Sequence, residues 1–179
     1  MFPNLFEQNF TADRANQKWC TDFTYLFLKD VRKRYNCSII DLYDRSVIAS
    51  LNEKEMTAEL AINTLKKALS TQPAMKNDLI LHSDQGSQYT SKAFIEFCES
   101  ANITQSMSKA GCPYDNAPME RYFSTLKNEL IYQHYYCNDK DLDAAIEDFA
   151  YVWYNNNGLT PFESRFNSKN IRSDCYNLA

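Results

Sequence analysis

The stretch from Leu79 to Ser91 reads LILHSDQGSQYTS. A short apolar run ends in a carboxylate, Asp84, and a glycine, Gly86, follows at once. The run is too short for a helix and fits a buried strand, Leu79–Ser83. The charge at its end either points into water or holds something positive. Ligand sites in open α/β sheets gather at the carboxyl ends of strands, so the surrounding chain decides between the two.

Upstream, Ala58, Ala61, Ile62, Leu65 and Leu69 recur at helical spacing, which predicts a helix over Thr57–Ser70 with Thr57 as its N-cap and Pro73 behind it. Before that, KWCTDFTYLFL from Lys18 is rich in β-favouring residues and predicts a strand. Trp19, Thr21, Phe23 and Tyr25 share one of its faces, and Cys20, Asp22, Thr24 and Leu26 the other. RYNCSIIDLYDRSVIASL predicts two more strands around a tight turn at Asp44-Arg45, completing an antiparallel meander. Residues 1–17 read as an extended lead-in. Downstream of Asp84, a helix starts near Ser91 with Phe94, Phe97, Cys98 and Ala101 inward, and a strand follows over Ile103–Met107. A long helix is predicted from Asn116 to His134, with Pro118 tolerated in its first turn and Met119, Phe123, Leu126 and Leu130 inward. A last helix is predicted over Asp139–Asn155, with Leu142, Ala145, Ile146, Phe149, Val152 and Trp153 inward. This order suggests one sheet with helices on both faces.

Composition bounds the function classes. With 179 residues, 44% hydrophobic and 23% charged, the chain suits one domain with a real core. No apolar run approaches the roughly 20 residues of a membrane span, and the N-terminus lacks the pattern of a signal peptide. The six cysteines are scattered, with no CxxC pair, and read as reduced thiols of a cytosolic protein; with two histidines they make a zinc site a poor fit. The net charge is −4 and the pI near 5.2, which by itself speaks against a nucleic-acid partner. The charge is uneven, however: Asp139, Asp141, Asp143, Glu147 and Asp148 crowd one segment, while Lys109, Arg121 and Lys127 lie in another.

Three carboxylates stand out by position: Asp22 within the first strand, Asp84 at the end of a buried strand, and Glu120 in the first turn of the long helix, where the helix dipole favours it. Singly, they read as an edge-strand charge, a turn-former and a dipole partner. Gathered together, they repel one another unless a cation neutralises them, and hard oxygen ligands select Mg²⁺ or Mn²⁺. Two such ions clamp the attacking and leaving oxygens of a phosphodiester displacement. There is no G-x-S-x-G, no Cys/His nucleophile signature and no GxxxxGK[ST] loop to suggest other chemistry.

NQKWCTDFTYL around Asp22, LHSDQGSQYTS around Asp84 and GCPYDNAPMERYFSTLKNEL around Glu120 resemble the integrase-type catalytic core of bacterial insertion-sequence transposases. The likeness is to the second-frame product of the "insertion-sequence three" family, related to retroviral integrases. The 35 residues between Asp84 and Glu120 match the separation of that family's D-D-E triad. The resemblance runs from about residue 8 to 166. It implies a ribonuclease-H-like α/β fold, a mixed five-stranded sheet flanked by helices, with a catalytic core over 18–166 and a tail over 167–179. It further implies that Asp22, Asp84 and Glu120 hold two divalent ions, Mg²⁺ or Mn²⁺, and that water or a DNA 3′-hydroxyl attacks a phosphodiester for strand cleavage and strand transfer. The implied partners are DNA, as transposon ends and target, further copies of the chain on that DNA, and a helix-turn-helix protein from an adjacent frame. The implied location is the bacterial cytoplasm, at the nucleoid when on DNA.

Helix geometry puts Asn116, Ser124 and Lys127 on the side of Glu120. Lys127 is placed for a phosphate, and all three are candidate DNA contacts, with a solvated lysine and an N-cap asparagine as the plain alternatives. His82 is expected to be packed and hydrogen-bonded, and Glu129 to lie opposite Glu120, outside the metal set. Two departures from the family pattern favour a second reading, a non-catalytic remnant that binds DNA or partner transposase. The chain begins shortly before the first strand, without a helix-turn-helix region, and YNNNGLTPFESRF lacks the family's Arg-Pro-His portion. A ribonuclease acting on RNA–DNA hybrids fits less well, because the surroundings of the third carboxylate are integrase-like.

Overall fold

In the computed structural model, which describes residues 2–72 and 78–156, the run KWCTDFTYLF forms the central strand β1, Lys18–Phe27. Strands β2 (Lys33–Asp41) and β3 (Val47–Glu53) add to it antiparallel, as the expected meander. Arg45 turns the chain between them at φ +65°. Strands β4 (Ile80–Ser83) and β5 (Thr104–Met107) lie parallel to β1 on its other side. The order β3-β2-β1-β4-β5 is the mixed five-stranded sheet of the expected fold.

Helices cover both faces because β1 alternates. Trp19, Ile39, Ile48 and Leu81 pack with α1 (Ala58–Thr71) and α2 (Lys92–Ser100). Cys20, Leu26 and Ile40 face α3 (Ala117–Glu129) and α4 (Asp139–Glu147), which bring Met119, Phe123, Leu126 and Ile146. Each such aliphatic or aromatic side chain contributes about 1.5–3 kcal/mol through burial. Thr57 caps α1 as expected, with Leu60 N donating to its Oγ1 at 3.1 Å, and Ser91, near the expected start of the second helix, caps α2, with Phe94 N donating to its Oγ at 3.3 Å.

Four expectations are corrected. First, α3 ends at Glu129 instead of reaching His134. Leu130 leaves the helix, Ile131–Gln133 form a 3₁₀ turn, and His134 is extended. The competing contact is Tyr136, which is buried in the same core as Leu28 and accepts a hydrogen bond from Lys29 N at 2.9 Å. Secondly, the last helix continues past Glu147 as a π-helical stretch, Asp148–Tyr154. Its i→i+5 bonding widens the turn, so Ala150 and Tyr154 face inward and Val152 is exposed. Thirdly, α1 buries Leu60, Ala61, Thr64, Leu65 and Ala68, a stripe rotated from the expected one; Thr64 is admitted because its hydroxyl donates to Leu60 O at 2.8 Å. Fourthly, the lead-in is a succession of turns and bends with Glu7, Gln8 and Asn16 at positive φ, and it buries Phe6 and Ala12 in the core. Pro73 and most of YNNNGLTPFESRF lie outside the described residues.

The outer edge of β3 is satisfied by side chains instead of another strand. Val47 N donates to Asn155 Oδ1 at 2.8 Å, and Asn155 Nδ2 donates back to Val47 O at 2.9 Å. Ser50 N donates to Tyr151 Oη at 2.9 Å, and Lys67 Nζ reaches Ser50 O at 3.3 Å.

Candidate active site

The site begins where β1 and β4 part. The two strands pair only through Lys18–Cys20 against Ile80–His82, and the last pair is Cys20 opposite His82. Asp22 and Asp84 each lie two residues beyond it. Equal offset from one pair, with a side-chain period of two, brings both carboxylates to the carboxyl ends of neighbouring parallel strands. Glu120 comes from the first turn of α3. The start of that helix is tied to β1 by Asn116, whose Nδ2 donates to the carbonyl of Thr21 at 3.2 Å. Asn116 therefore occupies the N-cap position without capping the helix. Asp22, Asp84, Glu120 and Asn116 line one open cavity of about 530 Å³ together with the loop Ser108–Cys112, which brings Lys109 to it.

The carboxylates feel one another. Asp22 is pushed up from its ordinary 3.8 to about 7, first by burial and then by the charge of Asp84, with Glu120 adding a smaller push against a hydrogen bond from Phe23 N. None of the three has an ion-pair partner among the described residues. Asp22 Oδ1 accepts from Phe23 N at 2.7 Å, and Asp84 Oδ1 from Gly86 N at 2.9 Å. Asn116 adds a buried amide oxygen, Oδ1, that accepts no hydrogen bond. Among the described residues no three acidic, His or Cys side chains stand close enough to form a finished metal cage. The carboxylates ring the cavity without closing on a point at its centre. A set of hard oxygens without ion-pair partners among the described residues, with one orphaned amide oxygen, nonetheless fits a hard divalent cation and suits no softer metal.

The surroundings fix these groups in place. A Cβ on Gly86 would lie 2.8 Å from Asp84 Oδ1 and 3.1 Å from Gln88 Oε1, so only glycine leaves the carboxylate where it is. The loop beyond is anchored by Tyr89, fully buried, whose hydroxyl sits 3.1 Å from Thr21 Oγ1 beside Asp22. His82 is packed, as expected: its ring nitrogens lie 2.8 Å from Ser106 Oγ and 3.1 Å from Ser108 Oγ, and Phe6 stacks on it at 4.6 Å. Burial pushes it down to about 4, so it is neutral at working pH. The sequence reading missed Asp115. This buried carboxylate accepts from Asn4 Nδ2, Gln8 Nε2 and Lys109 N, splinting the lead-in to the loop before α3. Its signal was the Pro113–Asn116 turn, which points a short acceptor back at main-chain donors.

The remaining candidates divide. Asn116 joins the cavity, whereas Ser124 and Lys127 lie farther along α3 and do not line it. Ser124 is exposed and accepts from Asn128 Nδ2 at 3.3 Å. Lys127 lies over the ring of Tyr25 at 4.6 Å. Glu129 lines a different cavity, with His134, Phe149 and Trp153.

The chain is similar to known proteins in sequence and in fold. The integrase core domain family matches residues 12–113, and a second integrase core domain description matches residues 101–158. Transposase InsF for insertion sequence IS3A of Escherichia coli (strain K12) is 36% identical over 175 residues, covering 94% of this chain and 59% of that protein. The putative transposase InsK for insertion sequence element IS150 of the same organism is 36% identical over 171 residues, covering 91% and 59%. The chain thus spans about three fifths of the length of these relatives. Among solved structures, the simian T-cell lymphotropic virus intasome in complex with PP2A regulatory subunit B56 gamma superposes with a TM-score of 0.65 at 22% identity, over 76% of this chain and 49% of that one. The Mos1 transposase catalytic domain, solved with Raltegravir and Mg, gives 0.62 at 14% identity, over 75% and 71%. The HTLV-2 integrase catalytic core domain in complex with magnesium gives 0.58 at 24%, over 74% and 81%. These structures share the ribonuclease-H-like fold. With its forked sheet, its three carboxylates and a match across more than half its length, the chain belongs to the integrase core domain family, among the relatives of insertion-sequence transposases.

Proposed function

We propose that this chain is the catalytic core of a DNA transposase, cutting and joining DNA strands at Asp22, Asp84 and Glu120. The observation that carries the reading is that three acidic side chains, from two strand ends and a helix, line one cavity, and none of them has an ion-pair partner among the described residues. In this reading residues 18–166 form the catalytic unit, residues 1–17 brace it and residues 167–179 form the tail. The three carboxylates would hold two divalent ions, Mg²⁺ or Mn²⁺. Bound there, these would supply Lewis-acid activation of the attacking and leaving oxygens of a phosphodiester.

The work of the chain itself is placement. The Phe23 amide holds one oxygen of Asp22 and the Gly86 amide one oxygen of Asp84. Asn116 locks the first turn of α3 against β1, so Glu120 keeps a fixed height over the strand ends. A DNA backbone entering a site with this much negative charge needs cations at its rim, and Lys127, with Asn116 and Ser124 on the same side of α3, suits that contact. The nucleophile is water in cleavage and a DNA 3′-hydroxyl in joining. Further copies of the chain on the same DNA, a helix-turn-helix partner from an adjacent frame, and action in the bacterial cytoplasm at the nucleoid complete the reading.

The test is metal-dependent cleavage and joining of a pre-nicked oligonucleotide carrying the element's end, comparing wild type with Asp84→Ala. Activity in magnesium that falls to background in the variant supports the proposal. Equal activity in the two proteins, or none in wild type with both divalent ions, refutes it and leaves the non-catalytic remnant.

A further inference from the structure

Beyond Phe23, one face of β1 leaves the core. Tyr25 is 54% exposed and Phe27 47% exposed, and their rings meet edge to face at 5.7 Å. Two ammonium groups lie over the Tyr25 ring: Lys127 from α3 at 4.6 Å and Lys33 from β2 at 5.6 Å. Neither lysine forms an ion pair among the described residues, whereas neighbouring Arg32 is neutralised by Asp30 at 2.6 Å. In a chain of net charge −4, a half-exposed aromatic ledge carrying two cations without ion-pair partners among the described residues runs against the average surface. Lys127 is seven residues along α3 from Glu120, two turns or about 10 Å, so the ledge adjoins the carboxylate cavity.

We infer that Tyr25, flanked by Lys33 and Lys127, is a stacking platform for an unpaired DNA strand leaving the catalytic cavity, an inference that rests on the strand-transfer reading. An unpaired base takes the ring face that the ammonium groups cover in the free protein, and the two flexible lysine side chains swing off the ring to the phosphates on either side. Every base has such a face, so the contact is tolerant of sequence. A duplex keeps its base faces stacked internally and meets the same ledge through phosphates alone. Phe27 extends the apolar surface for the next base outward.

The test is fluorescence anisotropy in magnesium buffer with a labelled oligo-dT strand and, separately, a labelled duplex of equal length. Tyr25→Ala is expected to weaken oligo-dT binding about 10-fold, the worth of one stacked base, and to change duplex binding less than about 2-fold. Tyr25→Trp is expected to hold the strand as wild type does. Lys33→Ala is expected to lower the salt slope for oligo-dT by about 0.7, one phosphate contact. The inference is overturned if Ala and Trp behave alike, if the strand and the duplex lose equally, or if wild type does not bind oligo-dT. It is also overturned if Tyr25→Ala leaves strand binding intact and instead dissociates an oligomer in sedimentation, which would assign the ledge to a second copy. Asp84→Ala separates the two claims. If that variant loses joining while Tyr25→Ala binds normally, the platform fails alone; if it retains joining, the catalytic reading fails whatever the anisotropy shows.

Discussion

Replacing Asp22 by Asn should make the metal-free protein more stable while abolishing its chemistry. In the folded chain Asp22 holds its proton up to about pH 7, because burial and the charge of Asp84 oppose ionisation. In the unfolded chain it ionises near 3.8. The folded state therefore binds the proton more tightly, so this residue's effect on stability is most favourable below pH 3.8, worsens as pH rises to about 7, and is constant above that. The full displacement corresponds to at most about 4 kcal/mol. Water reaching the half-buried carboxylate reduces the expected gain from Asp22→Asn at pH 8 to about 1–3 kcal/mol, or about 3–10 °C in Tm for a chain of this size. The amide oxygen of Asn keeps the hydrogen bond from Phe23 N, so the variant loses charge and little else. Differential scanning fluorimetry in EDTA at pH 4.5 and 8 reads the effect, and magnesium at pH 8 should raise the Tm of wild type more than that of the variant. The reasoning is refuted if the two proteins melt together at pH 8, or if the gap is as wide at pH 4.5 as at pH 8.

Three further outcomes follow from other parts of the molecule. Gly86→Ala sets a methyl group 2.8 Å from Asp84 Oδ1; displacement of that carboxylate should lower strand-transfer rate roughly 10–100-fold with the Tm nearly unchanged, measured on the nicked-end substrate. Lys127→Ala should weaken DNA binding evenly across sequences and lower the duplex salt slope by about 0.9, read by anisotropy over a salt series. Asn155→Ala leaves two main-chain groups of Val47 without partners and should cost about 2–3 kcal/mol, seen as a lower urea midpoint without loss of metal response.

Much of the site could be read before the fold was known, because its parts are local. Thr57 and Ser91 announced their helices, the alternation in KWCTDFTYLF set the faces of β1, and the stretch around Asp84 marked a strand end. What stayed hidden depends on contacts between distant segments. Nothing in Leu130–His134 forbids a helix; α3 stops there because Tyr136 is drawn into the core beside Leu28. The widened turn after Asp148 carries no proline or glycine to announce it, and it exchanged Val152 for Ala150 and Tyr154 at the core. Asp115 and Asn116 looked like turn and cap residues. Their partners, Asn4, Gln8 and Thr21, lie about a hundred positions upstream.

The rim of β3 has a consequence for biosynthesis. Its main chain is sealed by Tyr151 and Asn155, which emerge from the ribosome only after about a hundred further residues have been made. Until then the nascent sheet carries a bare border able to recruit a strand from any neighbouring chain. Ribosomes crowded on one message would bring such borders together. The last helix thus acts as a closing clasp, and truncations that remove it should yield aggregates instead of smaller soluble cores.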